Sequence, residues 1–120
     1  MKTIFVVDDN NTNLLLAEEA LEDHYEVITM LTAAVMFELF DDLIPDIILL
    51  DIMMPEMDGF EALKRLKADA RYAGIPVVFL TGRSGAEIQA RSFEMGIADI
   101  IEKPFSAPAL LERVSTLLEN

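Results

Sequence analysis

The chain reads as a doubly wound α/β domain, a five-stranded parallel sheet with helices on both faces. Three observations predict it. Five short apolar runs alternate with five stretches of helical spacing, an order in which helices act as crossovers between parallel strands. Two of the runs, Ile47-Ile48-Leu49-Leu50 and Val77-Val78-Phe79-Leu80, are apolar at every position, as strands buried on both faces are. The length of 120 residues suffices for one domain with a real core and is too short for two.

The first strand covers 4–7, and a helix over 11–23 repeats Leu14, Leu15, Ala17 and Leu21 at three- and four-residue intervals. A strand at 27–30 leads to a helix at 32–42 carried by Val35, Met36, Leu39 and Phe40. Pro45-Asp46 sets off the strand at 47–50, and Phe60, Leu63 and Leu66 mark a helix over 60–68. Gly74-Ile75-Pro76 introduces the strand at 77–80. The helix at 86–95 shows Ile88, Arg91 and Met95 and stops at Gly96, a residue type that ends helices. A weak strand at 100–101 precedes a helix over 109–118 built on Leu110, Val114, Leu117 and Leu118, with Pro108 at its start, where a missing N–H costs little. No linker, repeat or low-complexity run interrupts 1–120, which is read as a single domain. Five strands in this length predict the flavodoxin-like order 2-1-3-4-5, with ligands beyond the carboxyl ends of the strands.

Composition narrows the function. The formal charge is −13, from 22 acidic against 9 basic side chains. Such a surface repels phosphate backbones and argues against direct nucleic-acid binding. No apolar run nears the roughly 20 residues of a membrane span, and the apolar start at 4–7 is too short for a secretory signal. Cysteine is absent, which leaves no disulfide framework and fits a reducing cytoplasm.

The residues that follow the apolar runs carry the chemistry. Asp8 and Asp9 follow the first strand, Asp51 the third, Thr81 the fourth and Lys103 the fifth. Singly, each has an ordinary structural reading: a helix cap, a loop residue, a turn former, a solvated cation. Together, four strands deliver three carboxylates, a hydroxyl and an ammonium to one sheet edge. Crowded carboxylates repel one another, and a divalent cation resolves that repulsion. An all-oxygen donor set points to magnesium or manganese rather than zinc. A carboxylate beside such a metal can act as nucleophile toward a phosphoryl group. Lys103 offers positive charge to the transferred oxygens and Thr81 a hydrogen-bond donor.

Over nearly its whole length the chain resembles a two-component response-regulator receiver domain of the CheY-like superfamily. The matching segments are Val6-Val7-Asp8-Asp9-Asn10, Leu50-Asp51-Ile52-Met53-Met54-Pro55-Glu56-Met57-Asp58-Gly59, Leu80-Thr81 and Glu102-Lys103-Pro104-Phe105. The resemblance implies that Asp51 is the phosphoacceptor and that Asp8, Asp9, Asp51 and the Met53 carbonyl hold Mg2+. It further implies that Thr81 is the switch hydroxyl, that Lys103 contacts the phosphoryl group, and that the Lys103–Pro104 bond is cis. The implied partners are a histidine kinase or histidine phosphotransfer protein, with an output domain or effector downstream and a homodimer as one assembly.

The departures bear on output. Ile100 stands where many family members carry an aromatic residue that rotates inward, and Gly82 stands where alanine is common. Met53 and Arg83 occupy the positions that in the family tune water access to the phosphoryl group, so an altered dephosphorylation rate is expected. Leu14-Leu15-Leu16 cannot all face one core at about 100° per residue. Either the apolar face is wide, or a leucine stays exposed near the active edge, where a kinase or phosphotransfer partner would dock. His24 reads as a solvated or capping residue, the seven methionines as packing, and Lys64-Arg65-Leu66-Lys67 as a solvated helix face.

Two rival classes fit the residues less well. A haloacid-dehalogenase-type phosphatase would place a second Asp two residues after the first, where Met53 stands. A degenerate receiver, working as a phosphorylation-independent interaction module, would not need the full set of Asp8, Asp9, Asp51, Thr81 and Lys103.

Overall fold

The computed structural model describes residues 1–82 and 85–119. Five strands alternate with five helices: β1 Thr3–Val7, α1 Asn11–Leu21, β2 Glu26–Met30, α2 Ala33–Leu39, β3 Ile47–Asp51, α3 Gly59–Ala68, β4 Val77–Thr81, α4 Ala86–Glu94, β5 Asp99–Glu102 and α5 Ala107–Glu119. The strands are all parallel and lie in the order β2-β1-β3-β4-β5, as the alternation predicts.

Continuous apolarity in the strands has the predicted cause. Successive side chains point to opposite faces, so each central strand feeds two cores. Phe5, Val7, Ile48, Leu50, Val77 and Phe79 join Met36, Leu63 and Leu66 on the face that α2 and α3 cover. Ile4, Val6, Ile47, Leu49, Val78 and Leu80 join Leu14, Leu21, Leu110 and Val114 on the face under α1 and α5. Every residue of β1, β3 and β4 is buried.

Helix boundaries differ from the sequence reading where polar caps override apolar spacing. Thr32 is not helical: its hydroxyl accepts from the Val35 N–H at 3.2 Å and caps α2. Asp58 caps α3 by accepting from the Glu61 N–H at 2.8 Å, which starts that helix one residue earlier, at Gly59. Ser106 accepts from the Ala109 N–H at 3.2 Å, so α5 begins at Ala107. Each cap satisfies a donor that a helix start otherwise leaves unpaired.

Other expectations are met in part. Leu14 is buried while Leu15 and Leu16 are 54% and 45% exposed, so the leucine run does leave apolar surface. Five of the seven methionines pack in or against the core, but Met1 and Met53 are exposed. Arg91 on α4 is exposed, and its guanidinium lies over the Phe60 ring at 3.9 Å. The basic face of α3 buries Leu66 and exposes Lys64, Arg65 and Lys67. Among the described residues no helix is long and apolar enough to cross a membrane.

Candidate functional site

Strand register brings the polar residues to one edge. Val7 pairs with Leu50, Asp51 with Leu80, and Thr81 with Glu102. The strands therefore end almost level, and the residues just past them share one rim. Asp8, Asp9, Asn10, Asn13, Asp51, Met53, Gly82 and Lys103 line an open cavity there of about 460 Å³.

Asp8 is fully buried. Its main-chain N–H donates to the Met30 carbonyl at 3.1 Å, extending the sheet by one bond, and its Oδ1 accepts from the Asn10 N–H at 2.9 Å. That turn starts α1, whose cap is Asn10, with its Oδ1 accepting from the Asn13 N–H at 3.1 Å. Asp9 is exposed and lines the cavity. Asp51 is 3% exposed at the end of β3, and its Oδ1 accepts from the Met53 N–H at 3.3 Å. One ligand atom from each of Asp8, Asp9 and Asp51 lies within 4.8 Å of the others.

Lys103 reaches both buried carboxylates. Its Nζ is 2.8 Å from Asp8 Oδ2 and 3.0 Å from Asp51 Oδ1. The lysine is anchored by its own N–H, which donates to the Thr81 carbonyl at 2.8 Å, and the Lys103–Pro104 bond is cis, as the resemblance implies. Burial pushes the Asp51 carboxyl up to about 6; the bond from Lys103 opposes this and the charge of Asp8 adds to it. Burial works against the Lys103 ammonium too, but the bonds to Asp8 and Asp51 outweigh it and hold the lysine above its ordinary value.

One ammonium leaves three carboxylates undercompensated. Asp8 Oδ2 is buried, and its contact is the Lys103 ammonium at 2.8 Å. With one ammonium shared between Asp8 and Asp51, the buried carboxylate charge is only partly offset, a costly condition that a further cation relieves. The donor set of clustered carboxylate oxygens suits a hard divalent cation, so the residues present fit such an ion.

Thr81 is placed differently from the others. It is buried, 1% exposed, and the cavity wall at the end of β4 is formed by Gly82 instead. Met53 presents its side chain to solvent, 72% exposed. Arg83 lies outside the described residues. Asn10 and Asn13 went unremarked as wall residues in the sequence; their position one and four residues after Asp9, in a first helical turn beginning at the rim, was the available signal. A second groove, of about 480 Å³, runs beside α2 and α3. Its arginines are already paired, Arg65 with Glu61 and Arg71 with Asp69.

The fold and rim together define a doubly wound domain whose acidic pocket, bridged by one lysine, sits where such sheets bind their ligands. The profile of the response regulator receiver domain matches residues 4–115, and the chain belongs to that family. It is 38% identical over 98% of its length to a Vibrio cholerae protein named probable cyclic di-GMP phosphodiesterase, of which it spans only 27%. It is 32% identical to the Brucella ovis polar-differentiation response regulator DivK, with 98% of this chain and 96% of that protein aligned. A solved structure described as the BeF3-activated DrrB receiver domain superposes with a TM-score of 0.90 at 32% identity, over 100% of this chain and 99% of that one. As a member of the family, the chain is a phosphoryl-accepting receiver of two-component signalling.

Proposed function

We propose that Asp51 is the phosphoacceptor and that Asp8, Asp9, Asp51 and the Met53 carbonyl hold a magnesium ion beside it. The observation that carries this reading is the buried ion pair of Asp51 with Lys103 inside an acidic rim. Asp51, like Asp8, is buried, opens on the cavity and is held by Lys103; unlike Asp8, it is itself the last residue of its strand, β3. Its Oδ1 is kept in place by the Met53 N–H and the Lys103 ammonium, an arrangement that fixes a nucleophile before its substrate arrives.

In the reaction, a carboxylate oxygen of Asp51 forms a bond to phosphorus as the bond from phosphorus to the donor's phosphohistidine nitrogen breaks. Bound magnesium supplies charge neutralisation for the phosphoryl oxygens. Lys103 moves part of its contact from Asp51 to those oxygens and carries compact positive charge to them. The Thr81 hydroxyl serves as the hydrogen-bonding group that registers the phosphoryl group. Because Thr81 is buried at the end of β4, its engagement draws that strand end and Gly82 toward the pocket. The donor is a histidine kinase or a histidine phosphotransfer protein, and the setting is the cytoplasm. The exposed Leu15 and Leu16, a few residues beyond the rim residues Asn10 and Asn13, provide apolar surface for that partner. The changed surface acts on an output domain or effector protein.

Incubation with acetyl phosphate and Mg2+, read by intact mass, tests the proposal. One phosphoryl group is expected on the wild type and none on Asp51→Asn or in the presence of a chelator. Phosphate that persists on Asp51→Asn would overturn the assignment. No uptake by the wild type would favour a phosphorylation-independent interaction module.

A further inference from the structure

We infer that Gly59 is a positioning residue for the acceptor carboxylate: with no side chain there, α3 closes directly on the Asp51–Ile52 peptide and so fixes where Asp51 points. A Cβ built on Gly59 would lie 2.6 Å from the Asp51 carbonyl oxygen, 2.8 Å from Ile52 Cα and 3.2 Å from the Asp51 carbonyl carbon. All three are main-chain atoms, so no change of rotamer relieves the overlap. The need is for space: Gly59 is not among the residues with positive φ, so any residue could adopt its backbone conformation.

Neither partner in this contact is free to retreat. The Ile52 N–H donates to the Leu80 carbonyl at 3.2 Å, and β3 is clamped between β1 and β4. On the other side, the Gly59 N–H donates to the Ile52 carbonyl at 2.8 Å, and Phe60, Ala62, Leu63 and Leu66 root α3 in the core. An added methyl group must still displace one of them. The Asp51–Ile52 peptide borders the polar rim, whereas α3 is held along its whole buried face. Tilting that peptide swings the Asp51 carboxylate away from Lys103, now 3.0 Å away, and from the Met53 N–H, now at 3.3 Å.

Gly74 provides the contrast: a Cβ there would meet nothing within 4 Å, and it stands in the loop before β4, away from the pocket wall. A glycine replaced there changes the chain without touching the acceptor strand.

This inference rests on Asp51 being the phosphoacceptor, and the experiment separates the two. Gly59→Ala and Gly74→Ala are compared with the wild type by Mg2+ titration calorimetry and by phosphate uptake from acetyl phosphate. Urea unfolding of Gly59→Ala is measured in the wild-type and the Asp51→Asn backgrounds. Gly59→Ala is expected to weaken Mg2+ binding and slow uptake by about tenfold or more, since small misplacements of reacting groups have effects of that size; Gly74→Ala should match the wild type. The stability cost of Gly59→Ala should also be smaller in the Asp51→Asn background, because part of it is the disturbed carboxylate–ammonium pair; a purely structural glycine would cost the same in both backgrounds. Unchanged Mg2+ affinity and uptake in a folded Gly59→Ala protein would overturn the inference. So would equal costs in the two backgrounds, or failure to fold in both, which would assign Gly59 to the fold alone. If the wild type takes up no phosphate, the acceptor reading fails by itself, and the Mg2+ titration still decides whether Gly59 positions the carboxylate.

Discussion

Met53 follows Asp51 by two residues, donates its N–H to the Asp51 Oδ1 and lines the cavity with a largely exposed apolar side chain. An exposed thioether at that point shields the pocket from water without anchoring any, since its sulfur is a weak acceptor. Exchanging it for a small polar group keeps the backbone bond and removes the shield. Met53→Asn is therefore expected to shorten the lifetime of the phosphorylated form, read as loss of the added mass with time after desalting, while initial uptake stays close to wild type. An unchanged lifetime would show that water reaches the phosphoryl group by another side. The neighbouring acids divide their labour by burial. Asp8, sealed under the rim, orients the Asn10 turn and faces Lys103, whereas exposed Asp9 can ligate a cation with little displacement of protein.

At the scale of elements, the active rim is made by the starts of helices as much as by the ends of strands. The loop from β3 to α3 holds Glu56 at a φ of 68°, a left-handed conformation uncommon outside glycine and asparagine. It closes through the Met57 N–H to Pro55 carbonyl bond at 2.8 Å and the Asp58 cap. Removing that cap with Asp58→Ala leaves the Glu61 N–H unpaired and is expected to lower stability by about 1 kcal/mol, measured by urea unfolding. No loss would mean that water replaces the cap at no cost. α4 is held differently from the other helices. Its start at Gly85 has no side-chain cap and only Ser92 is fully buried, while Arg91 covers Phe60 and Phe60 meets Phe79 edge-on at 5.5 Å. Ile100 is buried and paired in register with Phe79. With one fully buried residue, α4 is the most lightly rooted of the helices.

For the whole molecule, the buried carboxylates of the pocket make stability depend on pH. Burial pushes the Asp51 carboxyl from an ordinary 3.8 up to about 6, against the opposing bond from Lys103. Below pH 3.8 the carboxyl is protonated whether the chain is folded or not, and it costs nothing. Between pH 3.8 and about 6 the unfolded chain loses this proton while the folded protein keeps it, so this contribution to stability falls across that window and stays low above it. The Lys103 contribution has the opposite form: raised in the folded state, it stabilises at neutral pH and is lost only in strong alkali. Without Mg2+, Asp51→Asn is expected to be more stable than the wild type at pH 7 and nearly equal to it at pH 3.5, by chemical denaturation at each pH. A variant less stable than wild type at pH 7 would show that the ion pair outweighs desolvation. The comparison within one pH also cancels the general self-repulsion of a chain with formal charge −13.

The layers, the strand order and the charged residues of the pocket, Asp8, Asp9, Asp51 and Lys103, were legible in the sequence, whereas Asn10, Asn13 and Gly82 as wall residues were not. Those features depend on local patterns: unbroken apolarity in the runs at 47–50 and 77–80, helical spacing between strands, and polar residues at the ends of four of the five runs. Boundaries were less legible at Thr32, Asp58 and Ser106, because a cap is decided by one side chain's hydrogen bond and not by periodicity. What the tertiary structure alone decided are relations between strands. That Lys103 bridges Asp8 and Asp51, that Thr81 is buried while Gly82 forms the wall, and that Gly59 has no room for a Cβ all follow from sheet register and the approach of α3. Residues far apart in the chain acquire such distances only when two layers pack, so no window of sequence contains them.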